Sequence, residues 1–98
     1  MLVQNFLAID MTRESEIERP AWRYAVLRRW VRVKIKLSDP TGFPDHFFAR
    51  NGEIRLVEFK APGETPNEQQ LKRHRELREA GVQVYVFDDL EEFKKAFK

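Results

Sequence analysis

The stretch PDHFFARNGEIRLVEFKAPG, residues 44–63, decides the fold. Two apolar runs, His46 to Arg50 and Ile54 to Phe59, flank Asn51-Gly52. That dipeptide supplies the positive φ angles of a tight turn, so the runs are expected to be antiparallel neighbours. Side chains alternate along a strand, which places Glu58 and Lys60 on one side and Val57 and Phe59 on the other. The hairpin then carries Asp45, at the start of one strand, toward Glu58 and Lys60, near the end of its partner. Two carboxylates and an ammonium converge at one sheet end. Neighbouring carboxylates repel, and a hard divalent cation relieves them; Mg²⁺ is held by one or two while it keeps waters and phosphate oxygens. A lysine beside them is placed to orient or deprotonate an attacking water, and the metal stabilises charge growing on the phosphate. The chemistry indicated is phosphodiester hydrolysis. A bare Glu-x-Lys triplet is also a common surface ion pair. What adds weight is the strand context, Asp45 following Gly42-Phe43-Pro44, and the abrupt strand end at Ala61-Pro62-Gly63.

Upstream, Val31, Val33, Ile35 and Leu37 alternate with Arg32, Lys34 and Lys36. The period of two predicts a half-buried strand with its apolar side inward. Asp39-Pro40-Thr41-Gly42 reads as a turn. Residues from about Thr12 to Arg29 read as a helix, regular from near Ser15, where Ser15 and Glu18 have the spacing of a capping box. Pro20 costs about 3 kcal/mol in a helix interior and is tolerated only near the start. Downstream, Thr65 is the expected N-cap of a second helix, with Pro66 in the first position, Glu68 completing a capping box and Gly81 ending it. Val82 to Phe87 is a continuous apolar run, expected to be a strand buried on both faces. Leu90 to Phe97 reads as a short closing helix. The order helix, three-stranded meander, helix, strand, helix is an α/β arrangement: a mixed β-sheet flanked by helices.

Ninety-eight residues make a single domain over 1–98. The 42% hydrophobic share, with eight Phe and two Trp, suffices for a core, and so small a chain is expected to pair with a second copy. There is no cysteine, which excludes disulfides, thiolate zinc sites and a thiol nucleophile and suits a cytoplasmic setting. The apolar patch Phe6 to Ile9 lacks a basic flank and is too short for a signal or a membrane span, so no membrane partner is expected. Eighteen basic against sixteen acidic residues leave a net charge of +2. More telling is the clustering of Arg28, Arg29, Arg32, Lys34 and Lys36 beside Trp30, which reads either as a phosphate-contacting stretch or as a solvated strand face. His46 and His74 lack a second histidine at metal spacing and read as hydrogen-bonded structural residues. Trp22, Tyr24 and Trp30 read as core or subunit-interface residues.

Gly42-Phe43-Pro44-Asp45, Val57-Glu58-Phe59-Lys60-Ala61-Pro62-Gly63, Glu68-Gln69-Gln70 and Leu77 to Gly81 together resemble the VRR-NUC (virus-type replication-repair nuclease) domain. That family belongs to the PD-(D/E)xK, restriction-endonuclease-like superfamily, and the resemblance runs from about Glu14 to Glu92. It implies a restriction-endonuclease-like core and a DNA endonuclease. It further implies Mg²⁺ or Mn²⁺ held by Asp45, Glu58 and the carbonyl of Phe59, Lys60 as the catalytic lysine, and no organic cofactor. The family's glutamine falls on Gln70 rather than Gln69, counting back from Leu77 and Gly81. Gln70, His74 and Leu77 also form a stripe on the helix face expected to meet the sheet. The helical acidic residue fits Glu18 best, at its spacing ahead of Lys34, with Glu14 one turn earlier as the alternative and the capping box as a competing role for Glu18. Lys34, with Arg32 and Lys36, is the expected DNA-contacting set. Stand-alone members resemble Holliday-junction resolvases, which implies branched DNA as substrate and a homodimer as the working unit.

Overall fold

The computed structural model describes residues 13–37 and 41–98. The Asp39-Pro40 turn and the Phe6–Ile9 patch lie outside them. The elements are α1 (Ser15–Leu27), β1 (Val31–Lys34), β2 (His46–Arg50), β3 (Glu53–Phe59), α2 (Glu68–Glu79), β4 (Gln83–Phe87) and α3 (Leu90–Ala96). The sheet order is β1-β2-β3-β4, with β1, β2 and β3 antiparallel and β4 parallel to β3 through the α2 crossover. Asn51 and Gly52 both take positive φ, 51° and 81°, as the tight hairpin requires.

Register assigns the faces. His46 pairs with Val57, Phe48 with Arg55, and Phe59 with Phe87, so these side chains share one face. On it Phe48, Val57, Phe59 and Phe87 join Ile17, Ala21 and Ala25 of α1, Trp30, and Phe93 and Phe97 of α3 in a single core. Phe93 and Phe97 stack at 4.2 Å, and Phe48 meets Phe97 edge-on at 5.1 Å. Such aromatic pairs add about 0.5–1.5 kcal/mol each beyond the area they bury. The opposite face carries Leu56, Glu58 and Val84, and α2 covers it with buried His74.

Local expectations changed in four places. β1 is a strand, but its apolar side faces out: Val31, Val33 and Leu37 are 60%, 50% and 55% exposed. The reason is tertiary. β1 is an edge strand, α2 packs against β4 at the other edge, and α1 packs on the Arg32/Lys34 side, where Arg32 lies 4.6 Å over the Trp22 ring. The Ser15/Glu18 capping box does not form: the N-cap is Glu14, with no side-chain cap hydrogen bond, and Glu18 turns to other partners. Similarly, α2 starts later than Thr65. Asn67 is its N-cap and Gln70 closes a reciprocal box, with 2.8 Å and 3.0 Å hydrogen bonds. The helix end follows expectation: Gly81, at φ 91°, donates to Arg78 O and Val82 donates to Leu77 O, a Schellman closure. β4 is half-covered rather than buried on both faces, with Gln83 exposed, because it is the other edge. No helix among the described residues is long and apolar enough to cross a membrane.

Candidate active site

One residue beyond the His46–Val57 pair, the hairpin sets Asp45 opposite Glu58. Pairing continues past the regular strands on both sides. Ile35 N donates to Asp45 O at 2.8 Å, and Lys60 N donates to Phe87 O at 2.9 Å. Both ends of the site are therefore held by backbone. The loop before Asp45 packs onto the start of α2: Arg73 Nε donates to Thr41 O at 3.1 Å, and Pro44 is fully buried. Gly42, at φ 74°, lies so close to Gln69 that a Cβ would strike its carbonyl. The result is a cleft of about 290 Å³ lined by Asp45, Glu58, Gln70, Asn67 and the Thr41–Pro44 loop.

Electrostatics separates the carboxylates. Glu58 is 4% exposed, its Oε1 has no hydrogen-bond partner, and burial, reinforced by Asp45 and opposed by Lys60, pushes its carboxyl up to about 8. Glu14 is raised as well, by burial and then by Asp45 and Glu18, with Lys60 opposing. Beneath Glu58 lies His74, fully buried, its Nε2 3.9 Å from Glu58 Oε1 and both ring nitrogens without a hydrogen bond. Burial, and then Arg78 and Lys60, hold the His74 ring below its usual range, so it is neutral at pH 7. Glu18 behaves oppositely. His46 lies 3.2 Å from its Oε1 and Lys34 Nζ 3.0 Å, and the hydrogen bond from His46 outweighs burial to lower it to about 2.

A likeness to known proteins decides what this geometry belongs to. No family model matches the chain. A protein printed as "Putative nuclease p44", from Acyrthosiphon pisum secondary endosymbiont phage 1, is 38% identical over 81 residues, covering 80% of this chain and 85% of its own. A solved structure described as a VRR_NUC domain superposes with a TM-score of 0.80 at 24% identity, covering 87% of this chain and 94% of that one. The chain belongs to the VRR-NUC nucleases.

In this VRR-NUC nuclease, Asp45, Glu58 and Lys60 come together at one sheet end as the hairpin reading requires. Gln70 lines the same cleft, although its carbonyl oxygen accepts from Asn67 N. Glu18 and Glu14 lie a turn apart. Glu18 is enclosed by His46 and Lys34, whereas Glu14 exerts its charge on Glu58 and feels Asp45 and Lys60. Of the three cations expected to meet DNA, Arg32 sits against Trp22 and within 3.1 Å of His46 Nε2, Lys34 is paired with Glu18, and Lys36 is exposed. Trp30 is buried in the core, and Trp22 and Tyr24 pack against it. Sequence reasoning gave His46 only a structural role; the signal it lacked was the contact of both ring nitrogens with acidic side chains.

The site residues fit a divalent cation. A buried carboxylate with an orphaned oxygen, beside a second carboxylate, is the donor set that hard cations take, and ionised it is costly without one. Among the described residues no three His, Asp or Glu side chains converge tightly enough to enclose an ion unaided. Carbonyl oxygen, water and phosphate would complete the shell, which is how Mg²⁺ is usually held.

Proposed function

We propose that this nuclease is a divalent-metal-dependent endonuclease that hydrolyses phosphodiester bonds in branched DNA, Holliday junctions foremost, and works as a homodimer. The observation that carries the hydrolytic part is Glu58, a buried carboxylate with an unpartnered oxygen, within electrostatic reach of Asp45 and Lys60. Mg²⁺ or Mn²⁺ held by Asp45, Glu58 and the Phe59 carbonyl would neutralise charge growing on the scissile phosphate. Lys60 is half-buried beside the two carboxylates, and its ammonium orients the attacking water and donates to phosphate oxygen. Gln70 lines the same cleft, and its side-chain amide would assist in placing the strand. For the acidic residue of α1, the surroundings favour Glu14 as the group that reaches the cleft, with Glu18 bracing β1. Lys36 and the exposed part of Lys34 are the phosphate contacts proposed for β1. Pairing is supported by the apolar outer side of β1, where Val31 and Val33 stand exposed, with Ile54 exposed two strands along on the same face. Two sites related by a two-fold axis suit paired cuts in a four-way junction.

The test is cleavage of a labelled four-way junction against linear duplex of matched sequence, with Mg²⁺, with Mn²⁺ and with EDTA. Symmetric, metal-dependent cutting of the junction alone is the expected result. Equal cutting of both DNAs would indicate a general DNA nuclease, and no cutting with either metal would overturn the hydrolytic reading.

A further inference from the structure

We propose that His46 is a positioning residue: it holds Asp45 in its metal-binding orientation and locks that carboxylate to α1 through Glu18. This rests on the reading of Asp45 as a metal ligand. His46 is fully buried, with Phe59 edge-on at 5.0 Å and Phe48 stacked at 6.0 Å. An apolar ring would fill that space without the cost of burying two polar nitrogens. Both nitrogens are instead used. Nδ1 lies 3.0 Å from Asp45 Oδ1, and Nε2 lies 3.2 Å from Glu18 Oε1 and 3.1 Å from Arg32 Nη2.

Donor and acceptor rules fix the important half of this arrangement. An ionised carboxylate only accepts, so the bond to Asp45 needs a hydrogen on Nδ1, which the charged ring carries and the neutral ring carries in the Nδ1–H tautomer. Nε2 cannot serve both neighbours at once: it donates to Glu18 when the ring is charged and accepts from the Arg32 guanidinium when it is neutral. Either way the ring is gripped from its far side. Asp45 is thereby held by Oδ1, and its carboxylate would meet a cation in that fixed rotamer. An outer hydrogen bond of this kind fixes the ligand's rotamer before binding, and its loss typically weakens metal affinity about 10–100-fold.

Two substitutions separate this role from packing. His46→Asn places an amide nitrogen near the position of Nδ1 and keeps the Asp45 bond; His46→Gln reaches the Nε2 position and keeps only the Glu18 side. Mn²⁺ is titrated into the full chain without DNA, with free Mn²⁺ read by electron paramagnetic resonance and folding in EDTA read by circular dichroism. His46→Asn should bind within a few-fold of the unaltered protein, and His46→Gln about 10–100-fold more weakly. Equal affinity of His46→Gln and the unaltered protein would overturn the proposal, as would parallel weakening of both variants in step with lost stability. Absence of saturable Mn²⁺ binding by the unaltered protein would instead remove the metal reading, and this role with it. A measurement free of substitutions is the imidazole proton resonance of the unaltered protein. An exchange-protected Nδ1–H that shifts on Mg²⁺ addition is expected, and an Nδ1 without a proton would refute the arrangement.

Discussion

Replacing Glu58 by Gln should stabilise the metal-free protein at alkaline pH and do little at acid pH. The amide keeps the shape and the buried oxygen but removes the charge. In the folded state the Glu58 carboxyl stands at about 8 against an ordinary 4.5, chiefly through burial and then through Asp45. At about 1.36 kcal/mol per pH unit, that displacement corresponds to about 5 kcal/mol against folding once the group is ionised. Relaxation and water entry reduce the measurable part to about 2–4 kcal/mol. The sign follows from the protons bound. Between 4.5 and about 8 the folded protein holds a proton that the unfolded chain has released, so stability falls as pH rises through that window. Urea denaturation in EDTA at about pH 9 and about pH 5 measures this, with Glu58→Gln ahead by about 2–4 kcal/mol in the first condition and level in the second. Saturating Mg²⁺ at the higher pH should stabilise the unaltered protein and leave the variant unmoved. A variant no more stable than the unaltered protein at about pH 9 would refute the account of Glu58 as a strained carboxylate kept for binding.

Other substitutions probe other parts of the site. Lys60→Ala should abolish cleavage while junction binding survives; a variant cutting at the original rate in a gel assay would remove the lysine from the mechanism. Glu18→Gln should cost about 1–3 kcal/mol near neutral pH. Because the Glu18 carboxyl is lowered to about 2, its contribution is present above 4.5 and is lost as pH falls toward 2, so acid denaturation curves of the two proteins should converge there. Gly42→Ala forces a positive φ of 74° on a residue with a side chain and drives a methyl into the Gln69 backbone. A loss of at least about 1–2 kcal/mol in thermal unfolding and weaker cleavage are expected, and unchanged stability would show that the loop–α2 contact is not tight.

Most of the topology was legible because it rests on local rules. Asn51-Gly52 specifies a tight turn by its positive φ angles, and Gly81 specifies a helix end for the same reason. The caps of α1 and α2 were harder. Several polar residues precede each helix, and the one chosen depends on where the loop before it is tied: Gly63 N donates to Asp88 Oδ2, and Asn67 rather than Thr65 is left at the helix start.

Sequence by itself determined that Asp45, Glu58 and Lys60 meet, since a hairpin register and a period of two leave those side chains nowhere else to converge. It also determined that β1 has two unlike sides. Only the tertiary structure decided which side is covered, because alternation reports a difference between faces and carries nothing about which helix will pack there. With α1 placed over Arg32 and Lys34, Glu18 became their counter-charge, and Glu14 was left within electrostatic reach of Asp45 and Lys60. His46 completes the same point. Its two contacts join residues 45 and 18, and a pairing across that chain distance exists only once the sheet and the helix have met.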